Sequence, residues 1–174
     1  MLRNREFDRC TFIKCDFTKS DLRGINFESC TFESCNFTMA NIDGAGFRNA
    51  VFKYCKLLGL DFARCSKFVF SFKFEECILD YSNFFGTSLK KTPFLNCSLK
   101  EVEFTETNLS EATFNGCNLM GARFLNTNLE KADFRMADNF SIDLEHNKLK
   151  KAKFSSLNLE GLLYKYQLDI QHNH

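Results

Sequence analysis

The chain has 174 residues, 44% of them hydrophobic, which is enough to fill the core of one domain of ordinary size. Its 23 basic and 22 acidic residues give a net charge of +1, which argues against broad nucleic-acid binding and against an overall acidic imitation of DNA. No apolar run is long enough for a signal peptide or a transmembrane helix. We therefore expect a cytoplasmic protein with no membrane partner and no direct contact with nucleic acid.

Large apolar residues recur every five positions from Leu2 to Phe62 and, after a slip of two residues, from Phe74 to Tyr164. A period of five fits neither a helix nor a continuous strand. A small or thiol side chain often stands two residues before the large one, as on one face of a short extended segment. The chain is therefore predicted to turn a corner in every pentad and to coil into a solenoid with a filled interior.

When the chain is arranged in coils of four pentads, equivalent positions of successive coils carry the same type of residue and form columns. This arrangement predicts about eight coils of 20 residues. One column consists of phenylalanine alone: Phe12, Phe32, Phe52, Phe74, Phe94, Phe114, Phe134 and Phe154. The nine cysteines all occupy the small inward position, so we interpret them as core filler and expect neither disulfides nor a zinc site. They are Cys10, Cys15, Cys30, Cys35, Cys55, Cys65, Cys77, Cys97 and Cys117.

The period breaks at two places before the tail. The slip predicts one irregular corner near residues 63–73, where we expect Val69 inside and some of Ser66, Lys67, Phe68 and Phe70 displaced. Asn139 falls in a core position, and a local bulge that turns Phe140 inward is favoured over a buried amide, because an unpaired buried amide costs roughly 1 to 3 kcal/mol. Seven glycines two residues after the large position are predicted to sit at corners with positive φ: Gly24, Gly44, Gly59, Gly86, Gly116, Gly121 and Gly161.

The C-terminal segment does not follow the five-residue repeat. A short helix from about Glu160 to Tyr166, followed by an extended Gln167 to Ile170, is predicted to cap the last coil. The segment is more apolar than a solvent-facing cap needs, so we expect a homodimer through the C-terminus. The candidate dimerisation residues are Leu162, Leu163, Tyr166, Leu168 and Ile170.

Pentads such as Ala132 to Met136 and Cys117 to Gly121 resemble the consensus of the pentapeptide-repeat family. The resemblance runs from Leu2 to Tyr164 and implies an all-β fold, a right-handed quadrilateral β-helix. We accordingly predict two parts, a pentapeptide-repeat β-helix over 1–159 and a C-terminal cap and dimerisation segment over 160–174.

Two segments resemble one group within this family, Gly59 to Cys65 in mid-chain and Leu159 to Leu163 in the tail. They are similar to the quinolone-resistance (Qnr-type) proteins and the related MfpA. This resemblance implies a partner that is a type II topoisomerase, DNA gyrase or topoisomerase IV, and a tail-to-tail dimer. Qnr-type proteins usually carry larger projecting loops, so the sign of any effect on gyrase stays open, and a structural rod with no topoisomerase partner is the alternative.

Apolar residues at outward positions and beside the irregular corner give the candidate partner-binding set: Tyr54, Leu58, Phe68, Phe70, Ile78 and Tyr81. An acidic column gives the candidates for DNA mimicry: Asp21, Asp61, Glu103 and Asp143. We expect no enzyme and no cofactor, because no histidine lies inside the regular repeats and no phosphate-loop lysine follows the glycines.

Overall fold

The chain winds into a parallel β-solenoid with four sides per coil. The computed structural model describes residues 5–67 and 70–170. Successive coils pair in parallel with residues 20 positions further on, for example Phe12 with Phe32, so the predicted quadrilateral β-helix is confirmed. The pairing distance becomes 22 residues where the two-residue slip intervenes, as between Phe52 and Phe74.

The extended pieces are short, because a corner follows every five residues. The strands are β1 (Glu6–Asp8), β2 (Thr11–Ile13), β3 (Asn26–Glu28), β4 (Thr31–Glu33), β5 (Gly46–Lys53), β6 (Phe70–Glu75), β7 (Pro93–Leu95) and β8 (Thr113–Asn115). They join in the order β1-β3-β5-β6-β7-β8, while β4 pairs with both β2 and β5. Isolated parallel bridges continue the same ladders on the other sides of the coil.

We number the four faces of the coil in chain order. The large residues of the first face are Phe7, Phe27, Phe47, Leu89, Leu109, Leu129 and Leu149, and the second face is the phenylalanine column that begins at Phe12. The third face carries Phe17, Phe37, Leu57, Leu79, Leu99 and Leu119, and the fourth carries Leu22, Ile42, Phe62, Phe84, Phe104 and Phe124. The first face thus lies opposite the third, and the second opposite the fourth.

The predicted phenylalanine column of the second face forms one continuous ring stack. Its seven successive pairs have interplanar angles from 3° to 17° and centroid separations from 4.7 to 5.6 Å. Rings of the fourth face meet this stack edge-on, as Phe104 meets Phe94 at 76°. Offset stacking and edge contacts are both favourable ring geometries, so the core is held by two aromatic arrangements at once.

The thiols fill the small inner positions, as predicted. All nine cysteines are free, seven of them buried and the first two half-buried. Six of their Sγ atoms donate to carbonyl oxygens of the preceding coil, as Cys55 does to Phe32 at 3.3 Å. Burial raises the pKa of Cys35 to about 11 and also raises the pKa of Cys65, so these thiols stay protonated.

The corner position has positive φ throughout the regular coils, and not only at glycine. Six of the seven predicted glycines adopt it, with φ from 63° to 72°. Gly161 was predicted wrongly, since it lies in the C-terminal helix, where a Cβ would clash with the carbonyl oxygen of Phe140. Lysine, glutamate, asparagine and tyrosine occupy other corners at φ near 55°.

Phenylalanine fills the irregular corner. Phe70 stands in register with Phe47 and packs half-buried against the core, so it is not one of the residues displaced outward. Phe72 stands in register with Ala50, is 6% exposed, and fills the inner position that a small residue holds elsewhere. Its ring lies 4.6 Å from that of Phe70, which explains why Phe70 packs inward. Phe68 and Val69 lie outside the described residues.

The last full coil follows the bulge expected at Asn139. Phe140 is 4% exposed while Asn139 faces solvent with φ of 59°, which confirms the inward turn. The bulge also moves the phase, because Ile142 is now buried and Leu144, expected inside, is 44% exposed. The core pattern was therefore wrong at Leu144, since the shifted backbone turns that side chain outward.

The cap begins with a 3₁₀ turn, Ser156–Asn158, and continues as α1 (Glu160–Leu163) and a second 3₁₀ turn, Tyr164–Tyr166. This confirms the predicted helix, although Gln167 ends it in the left-handed conformation at φ of 51°. No helix among the described residues is long and apolar enough to cross a membrane.

The ring stack makes a stability prediction. Phe114 is fully buried between Phe94 and Phe134, so Phe114→Ala should leave a cavity and lower the free energy of unfolding by about 3 to 5 kcal/mol. The exposed Met120→Ala is the control and should change it by less than about 0.5 kcal/mol. Urea unfolding followed by circular dichroism measures both, and equal midpoints would contradict the proposed importance of the stack.

Candidate protein-binding surfaces

Four of the predicted partner-binding residues come together on the third face and its two corners. Ile78 stands one coil beyond Lys56, and the amide of Gly59 donates to Asp80, which places Tyr81 one coil beyond Gly59. Tyr54 and Leu58 flank Lys56 along the chain. A fifth apolar side chain joins them, since the amide of Met39 donates to the carbonyl of Leu58 at 3.1 Å. We call Met39, Tyr54, Leu58, Ile78 and Tyr81 the third-face patch.

The third-face patch places bulky side chains where the backbone disfavours them. Tyr54, Tyr81 and Met39 have φ of 55°, 61° and 56°. A left-handed conformation costs a residue with a side chain roughly 1 to 2 kcal/mol relative to the right-handed one, and glycine escapes this cost. The three side chains are 50%, 66% and 59% exposed, so burial does not offset the strain. Other corners adopt the same conformation with lysine, glutamate or asparagine, so the exposed apolar side chain is what sets these three corners apart.

Phe70 does not belong to this surface. It lies on the first face, opposite the third, and lines a cavity of about 320 Å³ with Lys67 and Glu106 at the corner to the fourth face. The prediction that it shares one surface with Tyr54 and Tyr81 was therefore wrong, because four-sided coiling sends the two segments to opposite sides. Phe68 lies outside the described residues and has no assigned place.

The acidic candidates form one column of the fourth face, interleaved with Asn41, Asn83 and Arg123. Asp21 is held by a two-point ion pair with Arg23 at 2.7 and 2.8 Å. Asp61 accepts from the side chain of Asn83, and Glu103 accepts from the amide of Thr105. Within the described ranges, neither Asp61 nor Glu103 has a cationic partner within 4 Å. Asp61 and Glu103 are therefore the two acidic candidates that remain available to a cationic partner, whereas Asp21 and Asp143 are held in ion pairs.

The fourth candidate, Asp143, anchors the cap. Its carboxylate lies 3.0 Å from the ammonium of Lys165 and 2.9 Å from the imidazole of His146, and Glu145 also lies 3.0 Å from Lys165. Carboxylate and imidazole atoms of Asp143, Glu145 and His146 lie within 4.8 Å of one another, a grouping that could hold a cation. Because the ammonium of Lys165 pairs with both acids, the arrangement is an ion-pair network that ties the cap to the last coil.

Electrostatics favour the charged state of this network. The amide of Glu145, the ring of His146 and the ammonium of Lys165 hold the pKa of Asp143 well below its usual range. The carboxylates of Glu145 and Asp143 raise the pKa of Lys165. Asp143 is thus a structural residue, and its assignment to DNA mimicry is not supported by its contacts.

The tail candidates divide into two groups. Leu162 is half-buried and packs against the core, and Leu163 is also half-buried. Tyr166, Leu168 and Ile170 are exposed to 50%, 57% and 38%. A dimer interface can therefore use the last three directly, whereas the two leucines already serve the cap.

Sequence reasoning missed several of these features. Met39 carried a usable signal, since it stands at the corner that precedes Gly59 by one coil. The pairing of Lys165 with Asp143 had no signal, since residues 22 positions apart meet there only through the path of the cap.

The repeat geometry has a counterpart in known sequences. A family model of the pentapeptide repeat region matches residues 5–84, 25–104 and 87–163. The chain belongs to the pentapeptide-repeat family. No curated protein is a significant match to this pentapeptide-repeat chain.

Solved structures share the fold of this pentapeptide-repeat protein. Two trypsin-treated forms of QnrB1, a plasmid-mediated fluoroquinolone resistance protein, align with TM-scores of 0.53 and 0.51 at 22% and 20% identity. The alignments cover 97% and 96% of this chain and 96% and 95% of the QnrB1 chains. A pentapeptide repeat protein from the thylakoid lumen of Arabidopsis thaliana aligns over 56% of this chain and 59% of its own, with 26% identity and a TM-score of 0.41.

The ion-pair network predicts how the cap responds to pH. Because the pKa of Asp143 is depressed below its unfolded value of 3.8, its stabilising effect is complete above that pH and is lost as the pH falls below it. Protection of the Ile142 amide, which donates to Gly161 of the cap, should therefore weaken below about pH 4. Hydrogen exchange, normalised to the intrinsic rate at each pH, measures this protection.

Asp143→Asn should lower the same protection at pH 7 and flatten its dependence on pH. Asp16→Asn is the matched control, since the pKa of Asp16 is also lowered, by Thr18, but at the far end of the rod. Unchanged protection of Ile142 in Asp143→Asn at pH 7 would show that the network does not hold the cap.

Proposed function

We propose that this pentapeptide-repeat protein is a non-enzymatic, cytoplasmic rod that binds a type II topoisomerase, of which DNA gyrase is the first to test. The contact surface in this proposal is the third-face patch. The observation that carries it is the clustering of the exposed apolar side chains of Met39, Tyr54, Ile78 and Tyr81 on one side of the rod. The choice of partner rests on the Qnr-type resemblance, and QnrB1 is a fluoroquinolone resistance protein.

The composition of the patch suits a protein partner. Tyrosine and methionine are enriched at the centres of protein interfaces, where a polar rim surrounds an apolar core. Here Lys56, Asp80 and Lys100 border the apolar side chains, and the amide of Lys100 donates to the carboxylate of Asp80 at 3.0 Å. Tyr54 and Tyr81 are the expected anchors, because aromatic side chains most often dominate the binding energy.

DNA mimicry is the more specific version of this proposal. Asp61 and Glu103 support it, since they are the two carboxylates of the fourth-face column that remain without a cationic partner in the part of the chain the structure describes. Two charges attract a DNA-binding groove only weakly. The apolar contact through the third face is therefore the version that the contacts favour.

The function can be tested in a gyrase supercoiling assay with purified protein, with and without a fluoroquinolone. Restored supercoiling under drug would assign a protective role, and inhibition without drug would assign an inhibitory one. Tyr81→Gly should abolish either effect, because it removes the most exposed anchor, while relieving the corner should leave thermal stability equal or slightly higher.

Glu101→Gly is the matched control for Tyr81→Gly. Glu101 occupies the same corner one coil further on with φ of 55°, so the backbone change is the same and no apolar contact is lost. The control should keep full activity in the assay. Absence of any effect of the wild-type protein at micromolar concentration would remove the topoisomerase proposal and favour a structural rod.

We also propose that two copies associate through their tails. Tyr166, Leu168 and Ile170 present apolar surface at the end of the rod, which an isolated cap does not need. Leu162 and Leu163 would support this surface from beneath.

Static light scattering tests the dimer. The wild-type protein should have twice the mass of the chain at micromolar concentration, and Leu168→Asp should be a monomer because it places a charge in the apolar contact. Leu125→Asp, an equally apolar and exposed position on the fourth face, should remain a dimer. A monomeric wild-type protein at that concentration would refute tail-to-tail association.

A further inference from the structure

The structure gathers lysines on the first face and at its corner with the second face, at the C-terminal end of the rod. We define the lysine patch as Lys131, Lys148, Lys150, Lys151 and Lys153, all of which are exposed. Lys131 and Lys151 occupy the same corner in successive coils, and the amide of Lys131 donates to the carbonyl of Lys150 at 3.0 Å. Lys148 and Lys153 pair with Asn128 and Asp133 in the parallel ladder. The five ammonium groups therefore cluster within two adjacent coils.

Little negative charge offsets this cluster. Residues 128–137 and 148–153 contain six cations against two carboxylates, those of Glu130 and Asp133. Asp133 is already bound by Arg135 at 2.7 Å. In the described ranges, no carboxylate lies within 4 Å of the ammonium of Lys131, Lys148, Lys150 or Lys151. The near-neutral net charge conceals this local excess, because it averages over the whole surface.

Lysines elsewhere near this end of the rod do form ion pairs. On the first face two coils earlier, Glu111 stands between Lys90 and Lys91 and lies 3.8 Å from both ammonium groups. On the fourth face of the last coil, Asp143 and Glu145 are paired with Lys165. Asp133, Asp143 and Glu145 are thus held in ion pairs with Arg135 and Lys165, and the lysine patch faces solvent with Glu130 as its remaining acidic neighbour.

We propose that the lysine patch binds the phosphate backbone of duplex DNA without reading its sequence. Coils about 4.8 Å apart set the ammonium groups along a rigid side of the rod, which suits the regular phosphates of a duplex. The alternative of an anionic membrane surface is disfavoured, because peripheral membrane contacts also insert apolar side chains. None of the exposed large apolar side chains of the described residues lies on the first face. This proposal is independent of topoisomerase binding.

The experiment measures fluorescence anisotropy of a labelled 20-base-pair duplex titrated with the purified full chain. We expect a Kd of about 1 to 100 µM at low salt and a slope of log K against log salt of about −3 to −4, as four phosphate contacts would give. The quadruple variant Lys131→Gln, Lys148→Gln, Lys150→Gln and Lys151→Gln should weaken binding at least about tenfold and flatten the slope.

The matched control removes four other exposed lysines from the first four coils, Lys14→Gln, Lys19→Gln, Lys56→Gln and Lys73→Gln. It changes the net charge by the same amount, so only the position of the charge differs. It should keep the wild-type salt slope. If the quadruple variant melts at a lower temperature, the double variant Lys150→Gln and Lys151→Gln replaces it in the test. The double variant should show about half the loss in log K.

Three results would overturn the proposal. One is absence of duplex binding by the wild-type protein at 50 mM salt. The second is an equal loss of affinity in the patch and control variants, which would reduce the effect to overall charge. The third is binding to vesicles of phosphatidylserine and phosphatidylcholine that is as tight, per accessible phosphate, as binding to the duplex.

Discussion

Main-chain hydrogen bonds between successive coils fix the register on which the whole molecule depends. Each coil donates and accepts along all four faces, as when the amide of Phe37 donates to the carbonyl of Lys56 at 2.7 Å. In the regular coils each amide bonds to a carbonyl 19 positions ahead or 21 positions behind, which sets residues 20 positions apart in register, so every side chain stands above the corresponding side chain of the next coil. Phenylalanine then stacks on phenylalanine and thiol on thiol, and the interior is a set of columns rather than a single cluster.

This register also explains how the rod ends. A regular coil would leave its last row of backbone groups unpaired. The side-chain amide of Asn158 donates to the carbonyls of Phe134 and Ala137, and the amide of Ile142 donates to Gly161, so the cap satisfies groups that another coil would have paired. The absence of a side chain at Gly161 permits its close approach to Phe140. The Asp143–Lys165 ion pair then closes the cap over the bulge.

The solenoid separates folding from recognition. Two of every five residues face inward and carry the packing, which leaves the outward positions free to vary from face to face. The third face bears an apolar patch, the fourth an acidic column whose charges are half engaged, and the first a cluster of lysines near the cap. One rod can therefore present different chemistry to different partners without a change in its core.

The repeating parts of this structure follow directly from the amino-acid sequence. The five-residue period predicted the four-sided coil, the phenylalanine stack and the buried thiols, because a periodic pattern reports which side chains face inward at every turn. It also predicted the inward turn of Phe140 and the helical cap, since each follows from local residue chemistry.

The tertiary structure alone decided what happens where the period breaks. Phe72 takes an inner position and draws Phe70 with it, Ile142 replaces Leu144 in the core, and Asp143 meets Lys165. Each outcome depends on the space and charge offered by coils 20 or more residues away, and a local pattern contains no information about that fit. For the same reason Tyr54 and Tyr81 share a surface while Phe70 lies opposite, because the direction of each corner is known only once the coils are stacked.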